Sequence, residues 1–206
     1  MALTTYSALT SAIEDFLLRP DLTATIPTFV ELAEARLNRD LRVRQMIKRS
    51  QASLDTQFTL LPTDFLEAQN FEIVSTAPTY SLEPVTLQTV DRYRSATAAP
   101  GRPKVFAVAG NTLEVAPSPD ATYTGELVYY SKIPALSVSN ASNWLLLQAP
   151  DVYLYGSLLH SAPYLRDDER VALWSSLYNE AVGALKLNNE RSTFAPGVHM
   201  RGRRLG

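Results

Sequence analysis

Residues 105–116 read VFAVAGNTLEVA and contain two apolar, strand-like runs on either side of Gly110-Asn111. Glycine and asparagine both tolerate a positive φ, which the tight turn of a β-hairpin requires. The stretch therefore predicts a hairpin with a two-residue turn. It lies within residues 46–142, where prolines separate several short apolar segments. We expect this whole region to be an inserted antiparallel β domain.

Other segments of the β region also have strand-like patterns. They are residues 50–54, 71–74 and 125–131. One interruption is predicted, because Leu87, Val90, Tyr93 and Arg94 have the spacing of a short amphipathic helix.

Helical periodicity precedes the β region. Leu9, Ile13, Phe16 and Leu17 recur at spacings of three and four and predict one apolar helix face. Arg19-Pro20 ends this helix, because a proline disfavours the helical conformation in the residue before it. A second helix is expected from Thr25, with Pro27 in its first turn, to about Arg44. Its predicted buried stripe is Ile26, Val30, Ala33, Leu37 and Leu41. A short connection predicts that the two helices form an antiparallel pair.

Helical periodicity returns after the β region. One helix is predicted from Pro150 to about Pro163, and another from the acidic run Asp167-Asp168-Glu169, which is suited to a helix N-terminus. The buried stripe of this last helix is predicted to be Val171, Trp174, Tyr178, Ala181 and Leu185. The N-terminal pair is its simplest partner. The predicted fold class is α+β, with a helical bundle from residues 1–45 and 143–190, the β domain from residues 46–142 and an extended arm from residues 191–206.

Composition restricts the kinds of site that the chain can form. It has 206 residues, of which 46% are hydrophobic and 19% charged, as in folded globular proteins. It contains no cysteine, which excludes disulfides and thiolate metal sites and suggests synthesis in a reducing cytoplasm. Neither a secretory signal nor an apolar run of about 20 residues is present, so no membrane association is expected.

Charge is distributed unevenly along the chain. Residues 191–206 contain Arg191, Arg201, Arg203 and Arg204 and no acidic residue, a formal charge of +4. Residues 1–190 hold the other 15 Lys and Arg against all 21 Asp and Glu, a formal charge of −6. A basic end on an acidic body indicates an interaction segment. With Pro196 and three glycines, the segment is expected to be flexible in the free subunit.

No constellation of residues predicts catalysis, cofactor binding or metal binding. His160 has no carboxylate or second histidine at helical spacing, and is expected to be a packed or interfacial side chain. Asp64 and Glu67 could form a carboxylate pair, but capping or ion pairing is the simpler interpretation. The basic residues Arg36, Arg39, Arg42, Arg44, Lys48 and Arg49 are interpreted as a solvated face or subunit contacts, or as contacts to DNA or an acidic partner. We therefore expect that the protein is not an enzyme.

Tyrosines are abundant near the return from strand to helix. Of the ten in the chain, Tyr129, Tyr130, Tyr153, Tyr155 and Tyr164 fall in this part. Their rings suit core packing or an interface. An alternative function is therefore a soluble module that binds a carbohydrate or a peptide in a tyrosine-lined groove.

Several stretches together resemble one protein family. The run Asn143-Trp144-Leu145-Leu146, followed by residues 150–156 and 162–168, resembles a signature of the head-to-tail adaptors of tailed bacteriophages. Residues 31–39, residues 61–68, and Gly101-Arg102-Pro103 leading to Gly110-Asn111 fit the same pattern in the expected order. Together they cover most of the chain.

The resemblance implies a structural, non-enzymatic subunit of the virion, made in the cytoplasm of the bacterial host. It implies a ring of copies, twelve to match the portal, that joins the portal above it to tail or nozzle proteins while genomic DNA passes through the lumen. It also implies that the C-terminal arm reaches the portal. The portal-binding residues are then expected to be Phe194, His199, Met200, Arg201, Arg203 and Arg204, with Arg36, Arg39, Arg42 and Arg44 as subunit or lumen contacts.

Overall fold

The computed structural model describes residues 2–96, 99–165 and 169–193. Its helices are α1 (Tyr6–Leu17), α2 (Ile26–Asp40), α3 (Leu87–Ala96), α4 (Trp144–Gln148), α5 (Pro150–Ser161) and α6 (Arg170–Thr193). Its strands are β1 (Ile47–Leu54), β2 (Phe58–Leu60), β3 (Phe65–Ile73), β4 (Tyr80–Ser81), β5 (Glu83–Pro84), β6 (Val105–Ala109), β7 (Thr112–Ala116) and β8 (Tyr123–Ser131). The predicted α+β class is confirmed. Two compact units divide the chain: Met46–Lys132 forms the β unit, and the segments on either side of it form the helical unit.

The β unit contains two four-stranded sheets, with strand orders β1-β8-β3-β4 and β2-β7-β6-β5. The predicted hairpin is confirmed, since β6 pairs antiparallel with β7 from Val105↔Ala116 to Ala109↔Thr112, and Gly110 in the turn has a φ of 59°. The pairing within the two sheets is otherwise antiparallel, but β5 pairs parallel with β6 at one edge. Parallel neighbours require a crossover connection, and residues 85–104, which include α3, provide it.

Apolar side chains pack between the two sheets. Phe71, Ile73, Leu127 and Tyr129 from one sheet meet Phe106, Leu113 and Val115 from the other. Gly125 in the central strand β8 permits this packing, because a Cβ at that position would lie 2.6 Å from the Phe71 ring. The predicted helix α3 covers the outer side of β6 and β7, where Val90 packs with Val105, Ala107 and Ala116.

The first two helices bury the predicted stripes with one exception. Leu9, Ile13 and Leu17 of α1 are buried, but Phe16 is 45% exposed because it lies at the margin of that stripe. All five predicted stripe residues of the second helix are buried. The second helix ends at Asp40 rather than near Arg44, because Leu41 adopts an extended backbone with φ −102° and ψ 136°.

The centre of the helical unit is α5, which contacts α1, α2, α4 and α6. The predicted seam on the last helix is buried at Trp174, Tyr178 and Ala181. Its main partner, however, is α5 rather than the N-terminal pair. Gly156 of α5 explains this close approach, since a Cβ there would lie 3.2 Å from Tyr178 Cε2.

Residues 133–143 return the chain to the helical unit without forming a strand. Residues 133–142 had been assigned to the β region from their sequence. Asn143 then begins the short helix α4, which the periodicity did not predict, by accepting a hydrogen bond from the Leu146 N–H at 2.9 Å. Of the acidic run predicted to open the last helix, Asp167 and Asp168 lie outside the described residues, and α6 begins at Arg170.

Candidate functional site

The four arginines predicted as subunit or lumen contacts lie at the end of α2 and in the residues after it. Two of them make contacts within the helical unit. Arg42 Nη1 donates to the carbonyls of Asn38 at 2.8 Å and Leu41 at 2.6 Å, so it caps the C-terminus of α2. Arg36 Nε lies 3.4 Å from Asp40 Oδ2, and its guanidinium lies 4.5 Å from the centre of the Tyr178 ring. These two arginines therefore help to hold α2 in place.

The other two arginines have exposed side chains. Arg39 lies on the last turn of α2, and Arg44 lies four residues beyond the helix. The backbone N–H of Arg44 donates to Asn189 Oδ1 at 2.8 Å, which attaches this segment to the end of α6. The helical unit thus presents Arg39 and Arg44 at its surface, where a neighbouring molecule can reach them.

His160 lies on α5 near the same arginines. Its Nε2 atom is buried and has no hydrogen-bond partner within the described residues. Partial burial, followed by the charges of Arg36 and Arg39, lowers the pKa of His160. The lowered pKa favours the neutral form of His160 at pH 7. No cluster of three or more metal-binding side chains occurs in the described part of the chain.

A buried polar network surrounds Glu34 of α2. Glu34 Oε1 accepts hydrogen bonds from the Leu136 N–H at 2.8 Å and from the Tyr153 hydroxyl at 3.1 Å. Asn143 Nδ2 donates to the Tyr153 hydroxyl and to the Pro134 carbonyl, both at 2.7 Å. The network joins α2, α5, the start of α4 and the segment before it.

Burial determines the protonation behaviour of this network. It raises the pKa of Glu34, although the hydrogen bonds from Leu136 and Tyr153 act in the opposite direction. Burial and the nearby Glu34 also raise the pKa of Tyr153. No functional or structural role had been assigned to Glu34 from the sequence. The available signal was its position on the apolar stripe of α2, four residues after Val30 and three before Leu37.

In the β unit, Asp64 binds two partners. Its Oδ2 lies 2.6 Å from Lys48 Nζ, and its Oδ1 accepts from the Tyr129 hydroxyl at 2.9 Å. Burial acts to raise the pKa of Asp64, but the hydrogen bonds from Lys48 and Tyr129 lower it overall. Burial and Asp64 raise the pKa of Tyr129 to about 12. The ion-pairing interpretation of Asp64 is confirmed.

The remaining basic residues of the predicted cluster are also paired. Besides Lys48 with Asp64, Arg49 Nη1 lies 2.8 Å from Glu126 Oε1. These two side chains belong to the β unit, whereas the four arginines belong to the helical unit. The run of basic residues is thus divided between the two units.

Comparison with known protein families shows what kind of protein this is. The family model described as SU10 adaptor protein matches residues 4–201. The chain belongs to this family of phage head–tail adaptors. A search of curated proteins finds no match. The match confirms the predicted resemblance and supports a structural adaptor role, with a location in the virion.

Three of the stretches that carried the resemblance contribute residues to the polar contacts described above. Glu34 comes from residues 31–39, Asn143 begins the last signature, and Tyr153 follows within it. Asp64 comes from residues 61–68. The two most buried tyrosines of the predicted groove, Tyr129 and Tyr153, bond to internal partners. Their hydroxyls are therefore not available to line a binding groove.

Two further predictions concern membrane spans and the portal-binding residues. Among its helices, none combines the length and apolar character needed to cross a membrane. The expected portal-binding residues Phe194, His199, Met200, Arg201, Arg203 and Arg204 lie outside the described residues.

Replacement of Glu34 by Gln is expected to stabilise the adaptor at neutral pH. A glutamine Oε1 can accept from both Leu136 and Tyr153 without burying a charge. Because the folded state raises the pKa of Glu34, the favourable protonation is complete below the ordinary glutamate pKa of 4.5 and is lost as pH rises through the folded-state pKa. The advantage of Glu34→Gln should therefore grow with pH in that window. Thermal unfolding between acidic and neutral pH measures it.

The control for this substitution is Glu190→Gln, at an exposed glutamate of α6 that does not act on Glu34. It should leave the pH profile unchanged. Glu34→Ala should instead cost about 1–3 kcal/mol, since it leaves buried donors without an acceptor. If Glu34→Gln were as destabilising as Glu34→Ala at neutral pH, the carboxylate would be required in its charged form.

Proposed function

We propose that the protein is a structural subunit of a ring at the head–tail junction of a tailed phage. Copies, twelve if the ring matches the portal, bind beneath the portal and join it to tail or nozzle proteins. Genomic DNA passes through the lumen without sequence-specific binding. The observation that carries the proposal is the family match, because it spans residues 4–201 of a 206-residue chain and not one isolated motif.

The C-terminal segment is proposed as the portal-binding arm. It follows α6, which ends at Thr193. Phe194 and Met200 supply apolar anchors, His199 contributes a polar contact, and Arg201, Arg203 and Arg204 meet acidic groups of the portal. The +4 charge of residues 191–206 supports this assignment, since it suits binding to acidic groups of a partner.

The exposed arginines of the helical unit are proposed to face a neighbouring copy or the lumen. Arg39 and Arg44 are available for such contacts, while Arg36 and Arg42 stabilise α2 beneath them. Contacts to DNA phosphates at these positions are independent of sequence, which suits a channel through which the whole genome passes. We propose no enzymatic activity and no cofactor.

Truncation of the chain after Arg191 tests the arm. It should abolish binding to purified portal, because the anchors and three arginines are removed together. Thermal unfolding should change little, since the truncation removes only Ser192 and Thr193 from the described residues. Replacing Arg201, Arg203 and Arg204 by Gln should weaken binding and reduce its dependence on salt, because exposed charges are screened within about 8 Å at physiological ionic strength.

The control for charge removal lies in the β unit. Arg92, Lys104 and Lys132 are exposed, and their replacement by Gln removes the same charge from a different part of the chain. This variant should bind the portal as tightly as the natural chain. A truncated adaptor that still joined portals at full affinity would rule out the arm.

A further inference from the structure

A groove beside Glu34 opens on the surface of the helical unit. Its lining residues are Tyr6, Pro27, Glu31, Glu34 and residues 135–138. The groove has a volume of about 440 Å³, and Val138, which is 92% exposed, leaves it open to solvent. Glu31 and Glu34 contribute two carboxylates, and none of the described lining residues is basic. Such a groove attracts a cation, and its apolar residues suit the aliphatic stem of an arginine or a lysine.

One oxygen of Glu34 is left for a ligand. Oε1 accepts both hydrogen bonds that the side chain makes, from the Leu136 N–H and from the Tyr153 hydroxyl. Oε2 accepts none from the described residues, although Glu34 is only 6% exposed. Oε2 is not one of the fully enclosed atoms that lack a partner. A donor that enters the groove can therefore reach it.

The charge of Glu34 is unfavourable in the free subunit. Burial raises its pKa, and the nearby Glu31 acts in the same direction. A glutamine would keep both hydrogen bonds without burying a charge, so the internal network does not require the carboxylate. A cation in the groove does use it, because a hydrogen bond between charged groups is roughly twice as strong as a neutral one.

Exposed cations lie elsewhere on the same unit. The hydrogen bond from the Arg44 N–H to Asn189 joins the segment after α2 to the end of α6. We call the exposed basic residues of these two segments the basic end; they are Arg39, Arg44, Lys186 and Arg191. None of the four forms an ion pair with a described residue. Their charges are thus available to another molecule.

The groove and the basic end are different surfaces. Arg39 follows Glu31 by eight residues, which places it about 12 Å further along α2 and about 80° around its axis. Opposite charges on two surfaces of one unit suit a head-to-tail contact between copies, which generates a ring when the rotation closes. Arg39 is the best-placed cation for this contact. It is held by the last turn of α2, and its planar guanidinium can donate to two carboxylates at once.

We propose that the basic end of one copy docks on the acidic groove of the next copy, with the Arg39 guanidinium bound between Glu31 and Glu34 Oε2. This contact rests on the proposed ring, and it assigns the subunit interface of that ring to particular residues of the chain.

Glu34→Gln tests the groove while preserving the internal hydrogen bonds. The amide keeps Oε1 as the acceptor for Leu136 and Tyr153, but it places an Nε2 donor where Arg39 needs an acceptor. The variant should be at least as stable as the natural chain at neutral pH. Its dissociation constant for self-association, measured by sedimentation, should nevertheless rise at least about tenfold. A stable Glu34→Gln protein with unchanged self-association would overturn the proposal.

Glu180→Gln is the control for this substitution. Glu180 is an exposed glutamate of α6 outside the groove and the basic end. Its replacement removes the same charge and should leave self-association unchanged.

Exchange of charges between copies tests which groups meet. Glu31 and Arg39 are both exposed, so Glu31→Lys and Arg39→Glu should fold normally. Each variant alone should self-associate at least about tenfold more weakly than the natural chain. An equal mixture should recover most of the loss, because each lysine-containing groove then faces a glutamate. A mixture of Glu31→Lys with Arg92→Glu, a reversal in the β unit, should not. Failure of the first mixture to recover, or assemblies that stop at dimers, would overturn the head-to-tail contact.

Assembly on purified portal separates this inference from the proposed function. Electron microscopy should show rings of the natural chain and of the charge-exchanged mixture, but none of Glu31→Lys alone. Rings of Glu31→Lys that form normally would reject the contact and leave the adaptor ring intact. If Glu34→Gln lost portal binding but kept self-association, the groove would bind a cation of the portal, and the contact between copies would be rejected. A natural chain that formed no ring on the portal would reject the proposed function, and one that also failed to self-associate in solution would reject both.

Discussion

Trp174→Ala is expected to lower the free energy of unfolding of the helical unit by about 3–5 kcal/mol, the usual cost of truncating a buried aromatic side chain. Trp174 is 3% exposed on the seam through which α6 packs on α5. The Arg170 guanidinium also lies 5.2 Å from the centre of its ring. The substitution therefore removes both packing and a cation–π contact. Denaturant unfolding followed by circular dichroism measures the loss.

Leu173→Ala is the control for this experiment. Leu173 is the neighbouring residue on the same helix, but it faces away from the seam. In the free subunit its truncation should change the free energy of unfolding by no more than about 0.5 kcal/mol. A loss of less than about 1 kcal/mol for Trp174→Ala would mean that the seam contributes little to the helical unit.

Asn143→Asp is expected to cost about 3–5 kcal/mol, in the range for an uncompensated buried charge. The aspartate can still accept from the Leu146 N–H. Its second oxygen, however, replaces the Nδ2 donor that lies 2.7 Å from the Pro134 carbonyl. It also places a second carboxylate beside the Tyr153 hydroxyl, which already donates to Glu34. Two acceptors would then face each other where a donor is needed.

Asn140→Asp is the matched substitution at a half-buried position. Asn140 Nδ2 donates to the Ala135 carbonyl at 2.6 Å, so the same donor is lost where water can replace it. We expect a cost of about 1 kcal/mol or less. The Asn143→Asp protein should recover stability on acidification, because protonation removes the buried charge and restores a donor. Equal stability of the two variants across pH would contradict the importance of the network.

Local sequence patterns predicted the fold class of this adaptor, the β6–β7 hairpin and the described α-helices except α4. The hairpin at residues 105–116 followed from one turn and two apolar runs, and its register is confirmed from Val105↔Ala116 onward. The buried stripe of α2 and the seam around Trp174 followed from helical periodicity. The order of several weak motifs was sufficient to predict the family, which the match over residues 4–201 confirms.

Only the tertiary structure determined which elements are partners and which polar groups meet. Glu34 and Leu136 are 102 residues apart in sequence, and no spacing within α2 indicates that a carboxylate on its apolar stripe accepts from Leu136 and Tyr153. The choice of α5 as the partner of α6 depends on the missing side chain of Gly156, and the exposure of Phe16 depends on which neighbours α1 lacks. Periodicity is a property of adjacent turns, so it specifies that a face is buried. The surface that buries it is decided by packing between segments far apart in the chain.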